Sequence, residues 1–213
     1  MPEKFTPRQS DALIVIDAQY DFMPGGALAV AEGDAILPIV NRLAAKFANI
    51  VLTQDWHPPG HASFASSHKG AKPFETTRLS YGEQVLWPDH CVQGTHGAAL
   101  HESLAIDRAI LVLRKGANAA VDSYSAFVEA DGKSKTGLAG FLRERAIARV
   151  FLTGLATDYC VAFSALDAQA AEFETIVIED ACRAIDLAGS LAAAWSRMNA
   201  AGVKKIQASE IGD

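Results

Sequence analysis

The residues Val150-Phe-Leu-Thr-Gly-Leu-Ala-Thr-Asp-Tyr-Cys-Val161 pass from a short apolar run into a segment of helical period. A buried strand that leads into a helix is the repeating unit of a parallel sheet. This stretch therefore predicts an α/β fold, because the same alternation recurs on both sides of it along the chain.

The pattern predicts six strands, at Ala12 to Asp17, Ile50 to Asp55, Ala109 to Arg114, Val150 to Gly154, Thr175 to Glu179 and Val203 to Gln207. It predicts helices at Asp34 to Phe47, Gly137 to Ala146, Asp158 to Ala171 and Leu187 to Ala200. The first five strands are nearly uniformly apolar, which is typical of strands buried on both faces. We expect a three-layer α/β/α, Rossmann-like fold with a six-stranded, mainly parallel sheet.

Length and composition indicate one domain over residues 1–213, in which residues 56–107, rich in Gly, Pro, His and Ser, form an active-site insertion. A net charge of -6 without a basic stripe argues against a nucleic-acid partner. No apolar stretch has the length of a signal peptide or membrane span. Three unclustered cysteines suggest neither disulfides nor a cysteine-rich zinc site. We expect a cytoplasmic protein without a membrane partner.

Reactive side chains follow four of the predicted strands. Asp17 ends the first strand, Asp55 ends the second just before His57, Lys115 follows the third, and Cys160 lies beyond the fourth. In open α/β sheets, ligands bind outside the carboxyl ends of the strands. The sequence therefore predicts that an acid, a metal-ligand pair, a base and a thiol meet at one edge of the sheet.

Cys160 lies at the predicted start of a helix, with Thr157 or Asp158 as N-cap. Backbone N–H groups and the helix dipole would favour a thiolate there. A buried cysteine that packs against the sheet is the alternative. Asp17 could take the proton of a nucleophilic thiol and return it to a leaving group, and Lys115 could stabilise both anions. Taken singly, Asp17 could be a cap and Lys115 a surface lysine.

Asp55, His57 and His90 form a second group. Carboxylate and imidazole ligands suit Zn, Fe or Mn, and three protein ligands leave positions open for water or substrate. The alternative is that Asp55 caps a turn and the histidines are ordinary loop residues. Phe22, Trp87 and Tyr124 lie in loops beside these residues, where a flat aromatic ligand could stack, although loop aromatics more often fill a core.

Ordered motifs across nearly the whole chain resemble the isochorismatase-like cysteine hydrolases, and within them the nicotinamidase/pyrazinamidase group. They are Ile16-Asp-Ala-Gln-Tyr-Asp-Phe22, Pro24-Gly-Gly-Ala-Leu28, Thr53-Gln-Asp-Trp-His-Pro-Pro-Gly-His61, Ser63-Phe64-Ala65, Leu86-Trp-Pro-Asp-His-Cys-Val-Gln-Gly-Thr95, Arg114-Lys-Gly116, Asp122-Ser-Tyr-Ser-Ala-Phe127 and Gly154 to Val161. The resemblance implies hydrolysis of nicotinamide, and of pyrazinamide, through a thioester, in the recycling of nicotinamide toward NAD.

The resemblance also implies roles for individual residues. Cys160 would be the nucleophile, Asp17 the general base and then acid, and Lys115 the third member of a catalytic triad. Asp55, His57 and His90 would hold one divalent metal that binds the pyridine nitrogen. A cis peptide at Leu155-Ala156 is implied, with an oxyanion hole from the backbone N–H groups of Ala156 and Cys160. The substrate pocket would be formed by Phe22, Leu28, Trp87, Tyr124 and Ala156, and His61 would be a second-shell or wall residue.

Two other functions remain open at this point. Another amidase of this fold, such as an N-carbamoyl amine amidase, would keep the triad without the metal, and Asp55, His57 and His90 argue against it. A non-catalytic ligand-binding homologue would have lost the chemistry, although all three triad positions are filled. Isochorismatase proper lacks the nucleophilic cysteine, so Cys160 argues against it. A homodimer is expected from base rates alone.

Overall fold

Six strands form one sheet in which every neighbouring pair is parallel. The computed structural model describes residues 4–105 and 107–212. The sheet strands are β1 (Asp11–Ile16), β2 (Asn49–Asp55), β5 (Leu111–Lys115), β6 (Arg149–Leu155), β7 (Glu174–Arg183) and β8 (Lys204–Ile206). Their order across the sheet is β5-β2-β1-β6-β7-β8. The predicted fold class is confirmed, and strand bounds differ from the prediction by a few residues.

Helices cover both faces of the sheet. They are α1 (Leu37–Ala44), α2 (Leu138–Glu144), α3 (Ala162–Ala170) and α4 (Ser190–Ala200). Leu13 and Val15 of β1 point into a core that includes α1, whereas Ile14 and Ile16 point into a second core that includes α2, α3 and α4. Alternate residues of a strand face opposite sides, so this central strand supplies both cores. None of the helices in the two described ranges has the length and apolar character needed to cross a bilayer.

The prediction that the first five strands are buried on both faces is wrong for β5. This strand lies at the edge of the sheet and pairs only with β2, so its residues alternate in exposure. Val112 keeps 46% of its surface exposed, and Ile110 just before the strand keeps 38%. Apolar composition alone does not distinguish an edge strand from a central one.

A two-stranded antiparallel hairpin lies within residues 56–107. Its strands are β3 (Thr76–Leu79) and β4 (Gly82–Val85), and the sequence did not predict it. Strands of four residues with polar side chains carry almost no periodic signal. The rest of the described part of this segment consists of turns, loops and one short 3-10 helix, Ala65–Ser67, and it carries His57, His61, Trp87 and His90.

Candidate active site

Lys115 is the centre of the cluster at the carboxyl edge of the sheet. Its ammonium nitrogen lies 2.8 Å from Oδ2 of Asp17 and donates hydrogen bonds to Oδ1 of Asp55 at 2.9 Å and to the Ser123 carbonyl at 3.0 Å. It also contacts the sulfur of Cys160 at 3.4 Å. All three predicted triad side chains are therefore brought together and buried.

Asp17 is held by the neighbouring strand. It follows β1 with a positive φ of 48°, and its backbone N–H donates to the hydroxyl of Thr53 in β2 at 3.1 Å. That hydroxyl donates in turn to Oδ1 of Asp17 at 2.6 Å. One carboxylate oxygen is thus fixed by Thr53, and the other faces the Lys115 ammonium group.

Cys160 lies in a π-helical turn, Thr157–Val161, that connects β6 to α3. The predicted N-cap is wrong, because Ala156 occupies the cap position and no side chain caps this turn. Asp158 instead turns its carboxylate to the loop before α4, where it accepts hydrogen bonds from the backbone N–H groups of Ile185 at 3.1 Å and Asp186 at 2.8 Å. The predicted cis peptide between Leu155 and Ala156 is confirmed.

Of the two interpretations of Cys160, burial favours a neutral thiol over a thiolate. Burial raises the pKa of Cys160 well above its usual value, and the opposing effect of Lys115 does not overcome it. A hydrogen bond with Asp17 raises that pKa further. Burial also raises the pKa of Asp17, against the influence of Lys115. Burial alone would lower the pKa of Lys115, but Asp17 and Asp55 raise it well above the ordinary value. The arrangement is a neutral thiol beside a carboxylate and a permanent cation.

Asp55, His57 and His90 converge as predicted, with their potential ligand atoms within 4.8 Å of one another. Oδ2 of Asp55 lies 3.1 Å from Nε2 of His57 and 3.6 Å from Nε2 of His90. The other ring nitrogens, both Nδ1, bond to the carbonyls of Gly116 at 2.9 Å and Pro88 at 2.8 Å. Those bonds direct Nδ1 of each ring to a carbonyl and turn both Nε2 atoms toward the Asp55 carboxylate, which is how metal-binding histidines are oriented.

The donor set fits a divalent cation. Burial alone would lower the pKa of His57, but Asp55 raises it to about 9, so this carboxylate and imidazole hold a proton between them that a cation would displace. Gly116 is required beside them because a Cβ there would lie 2.5 Å from Cε1 of His57. One carboxylate and two imidazoles suit Zn, Fe or Mn better than Mg or Ca.

The imidazole ring of His61 packs against that of His57. The two ring centroids are 4.3 Å apart, and both nitrogens of His61 are engaged, by the Ser63 hydroxyl at 2.7 Å and the Asn118 carbonyl at 2.9 Å. His61 is therefore outside the Asp55, His57 and His90 group, although it could form a second group with His57 and Asp122.

A small cavity lies over Cys160 and the histidines. All five predicted pocket residues line it: Phe22, Leu28, Trp87, Tyr124 and Ala156. Sequence reasoning missed three further lining residues, Asp122, Tyr159 and Ile185. Tyr159 could have been found from its place beside Cys160, and Asp122 from its place at the start of the motif Asp122 to Phe127, whereas nothing in the sequence marks Ile185. The ring of Trp87 meets that of Tyr159 edge to face at 4.8 Å, and with Phe22 and Tyr124 these rings make the cavity an aromatic slot.

Comparison with known proteins identifies the family. Residues 11–210 match the isochorismatase domain. The chain is 55% identical to the nicotinamidase of Acinetobacter baylyi over 200 residues, which cover 94% of each chain. Among solved structures it is similar to a nicotinamidase/pyrazinamidase of Acinetobacter baumanii, with a TM-score of 0.94, 56% identity and coverage of 95% of this chain and 98% of the other. It is also similar to the PnC1 of L. infantum in complex with nicotinate, with a TM-score of 0.86, 39% identity and coverage of 98% of both chains. The fold, the arrangement at the strand ends and these similarities agree: the chain belongs to the isochorismatase-domain family.

Proposed function

We propose that this chain is an amidohydrolase that converts nicotinamide to nicotinate and ammonia. The observation that carries the proposal is the position of Lys115, whose ammonium nitrogen lies 2.8 Å from the Asp17 carboxylate and 3.4 Å from the Cys160 sulfur beneath an aromatic slot. The nicotinamidases that the chain resembles over nearly its full length support the choice of substrate.

In the first half of the reaction, the Cys160 thiol gives its proton to Asp17 as the sulfur attacks the carboxamide carbon. The raised pKa of Asp17 favours this transfer, since a carboxylate that is hard to keep ionised is a better base. Backbone N–H groups of Ala156 and Cys160 receive the charge that develops on the carbonyl oxygen. Asp17 then returns the proton to the amide nitrogen, the C–N bond breaks, and ammonia leaves a thioester on Cys160.

In the second half, water attacks the thioester while Asp17 takes one of its protons. The C–S bond breaks, nicotinate forms, and the proton on Asp17 returns to the Cys160 sulfur. Lys115 keeps its proton throughout, because two carboxylates raise its pKa. Its role is to orient Asp17 and to stabilise negative charge that passes between the carboxylate and the sulfur.

Asp55, His57 and His90 would hold one divalent metal. When bound, it supplies a Lewis-acid contact for the pyridine nitrogen of the substrate. The Nδ1 bonds to the carbonyls of Gly116 and Pro88 hold both imidazoles in place for it. Phe22, Trp87 and Tyr124 would enclose the ring, and Leu28 would complete the wall.

Two features argue against the two alternatives. The first is the metal-binding group: an N-carbamoyl amine amidase that works without a metal does not need a buried carboxylate and two oriented imidazoles beside the nucleophile. The second is the buried lysine that two carboxylates and a thiol share: burying these charged groups costs free energy, and a binding protein without chemistry does not need them.

We further propose that pyrazinamide, which carries the same carboxamide on a similar ring, is a second substrate, and that the reaction serves the recycling of nicotinamide toward NAD.

The test is an ammonia-release assay on nicotinamide with the metal-loaded chain, together with metal analysis of the same preparation. We expect turnover of nicotinamide and pyrazinamide and about one metal ion per chain. Binding of nicotinamide without ammonia release would support the non-catalytic homologue. Full activity with no metal in the protein would support the metal-free amidase.

A further inference from the structure

Gln84 is the one buried residue of the β3 and β4 strands. It is 2% exposed, whereas its neighbour Glu83 points outward into solvent. The other residues of this hairpin are exposed or half-buried. A buried amide loses its hydrogen bonds to water, so it must make equivalent hydrogen bonds within the protein.

The amide of Gln84 connects two walls of the cavity. Its Nε2, which carries two hydrogens, faces three acceptors: the Val85 carbonyl at 2.7 Å, the hydroxyl of Tyr124 at 2.8 Å and Oδ2 of Asp122 at 2.9 Å. Both side-chain partners line the cavity over Cys160, and the Tyr124 hydroxyl also accepts a hydrogen bond from the indole of Trp87 at 2.9 Å. Gln84 does not itself line that cavity. It therefore lies outside the cavity wall, where it contacts Asp122 and Tyr124 directly and Trp87 through the Tyr124 hydroxyl.

A second contact fixes which way the amide points. The Tyr81 hydroxyl donates to Oε1 of Gln84 at 2.9 Å and accepts from the backbone N–H of Asp122 at 3.3 Å. The opposite amide orientation would place two oxygens, Oε1 of Gln84 and Oδ2 of Asp122, against each other. Only a side chain that both donates and accepts can satisfy this position.

We propose that Gln84 is a positioning residue for the substrate ring: it holds the Tyr124 phenol and the Asp122 carboxylate in the places that shape the slot. This inference rests on the proposed function, because the ring is that of nicotinamide. Gln84 makes no hydrogen bond to Cys160, Asp17 or Lys115, so it acts on binding and not on proton transfer. The hairpin thus takes part in substrate recognition.

The test compares three substitutions with a matched control on the same strand. Gln84→Leu removes both functions of the amide, Gln84→Glu keeps the shape but replaces the donor by an acceptor facing Asp122, and Tyr81→Phe removes the group that orients the amide. Glu83→Gln is the control, since Glu83 is exposed. KM and kcat for nicotinamide are measured, with the unfolding temperature and calorimetric binding of nicotinate.

We expect Gln84→Leu and Gln84→Glu to raise KM and weaken nicotinate binding by about tenfold, with kcat within about threefold of the parent enzyme. Tyr81→Phe should give a smaller change of the same kind, and Glu83→Gln none. If either Gln84 variant is folded and keeps the parent KM and nicotinate affinity, the inference is wrong while the proposed function stands. Equal losses of kcat and folded fraction without a change in KM would also overturn it, because they indicate a purely structural residue.

Failure of the proposed function gives a different result. In that case the parent enzyme releases no ammonia from nicotinamide, before any variant is compared.

Discussion

The β1 strand carries a buried aspartate at each end, and the two are held in opposite ways. Asp11 begins the strand and has a dedicated partner: Arg149 donates from Nε to Oδ1 at 3.0 Å and from a terminal nitrogen to Oδ2 at 2.6 Å. The backbone N–H of Arg8 adds a third bond at 2.7 Å. Asp17 follows the strand and shares one ammonium group, that of Lys115, with Asp55 and Cys160.

The difference separates a structural ion pair from a catalytic one. At the amino end, one carboxylate meets one guanidinium group in a two-point geometry that satisfies both. At the carboxyl end, two carboxylates and a thiol share one cation, which stabilises negative charge on either Asp17 or the sulfur when a proton moves between them. The same residue type in the same strand thus stabilises the fold at one end and carries chemistry at the other.

The largest effect is expected at the carboxyl end. Asp17→Asn keeps the shape of the side chain but removes the base, and should lower kcat for nicotinamide by about 100- to 10,000-fold. The free energy of unfolding should not fall: because the folded chain raises the pKa of Asp17, its ionised form opposes folding at neutral pH, and asparagine carries no charge. Ammonia release and urea unfolding measure the two quantities. A variant of near-normal kcat would remove Asp17 from the mechanism.

The converse is expected at the amino end. Asp11→Ala leaves the Arg149 guanidinium buried and unpaired, which should lower the free energy of unfolding by about 3 to 5 kcal/mol. At temperatures where the variant is folded, kcat and KM should equal those of the parent chain. Glu174→Ala is the control, because its pair with Lys204 is largely exposed and should contribute under about 1 kcal/mol. Loss of activity in folded Asp11→Ala would contradict the claim that Asp11 serves stability and not catalysis.

The metal-binding group should respond differently from both aspartates. His57→Ala removes one ligand and should weaken metal affinity and raise KM for nicotinamide by about 10- to 100-fold. Metal content of the dialysed protein and steady-state kinetics give the two values. His68→Ala serves as the control, because that histidine bonds to the Ala62 carbonyl away from the cluster. An unchanged KM in a metal-depleted His57 variant would show that the metal does not hold the substrate.

The smallest effect is expected from the hydroxyl that supports Asp17. The hydrogen bond from Thr53 lowers the pKa of the Asp17 carboxyl, so Thr53→Val should raise that pKa. Activity needs the ionised carboxylate, and it therefore falls as pH drops through the pKa of Asp17, which burial already places above the ordinary 3.8. The acid limb of the kcat/KM profile should move to higher pH, by up to about one unit. A shift of the acid limb to lower pH would contradict the proposed role of the Thr53 hydroxyl.

The sequence predicted the sheet and the convergence of Asp17, Lys115 and Cys160 because both follow from local pattern. Apolar runs locate strands, and parallel strands bring their carboxyl ends to one edge. Site residues that the sequence did not predict, such as Gln84 and Ile185, follow from tertiary contacts that no local pattern records. Gln84 lies in strands too short to show a period, and Ile185 enters the cavity only because Asp158 holds its loop.

Two differences between the sequence-based expectations and the structure have the same origin. The position of Cys160 at a predicted helix start favoured a thiolate, but burial raises the pKa of this thiol. Likewise β5 was predicted to be buried on both faces because it is apolar, yet it lies at the edge of the sheet. Burial is a property of the assembled fold, and composition gives it only on average.

Acid quenching of the enzyme during turnover of nicotinamide, followed by peptide mass spectrometry, tests the central claim most directly. The account predicts a nicotinoyl group on Cys160, absent from Cys91 and Cys182 and not formed by Asp17→Asn. Turnover without any acylated cysteine, or with the acyl group on another residue, would contradict it.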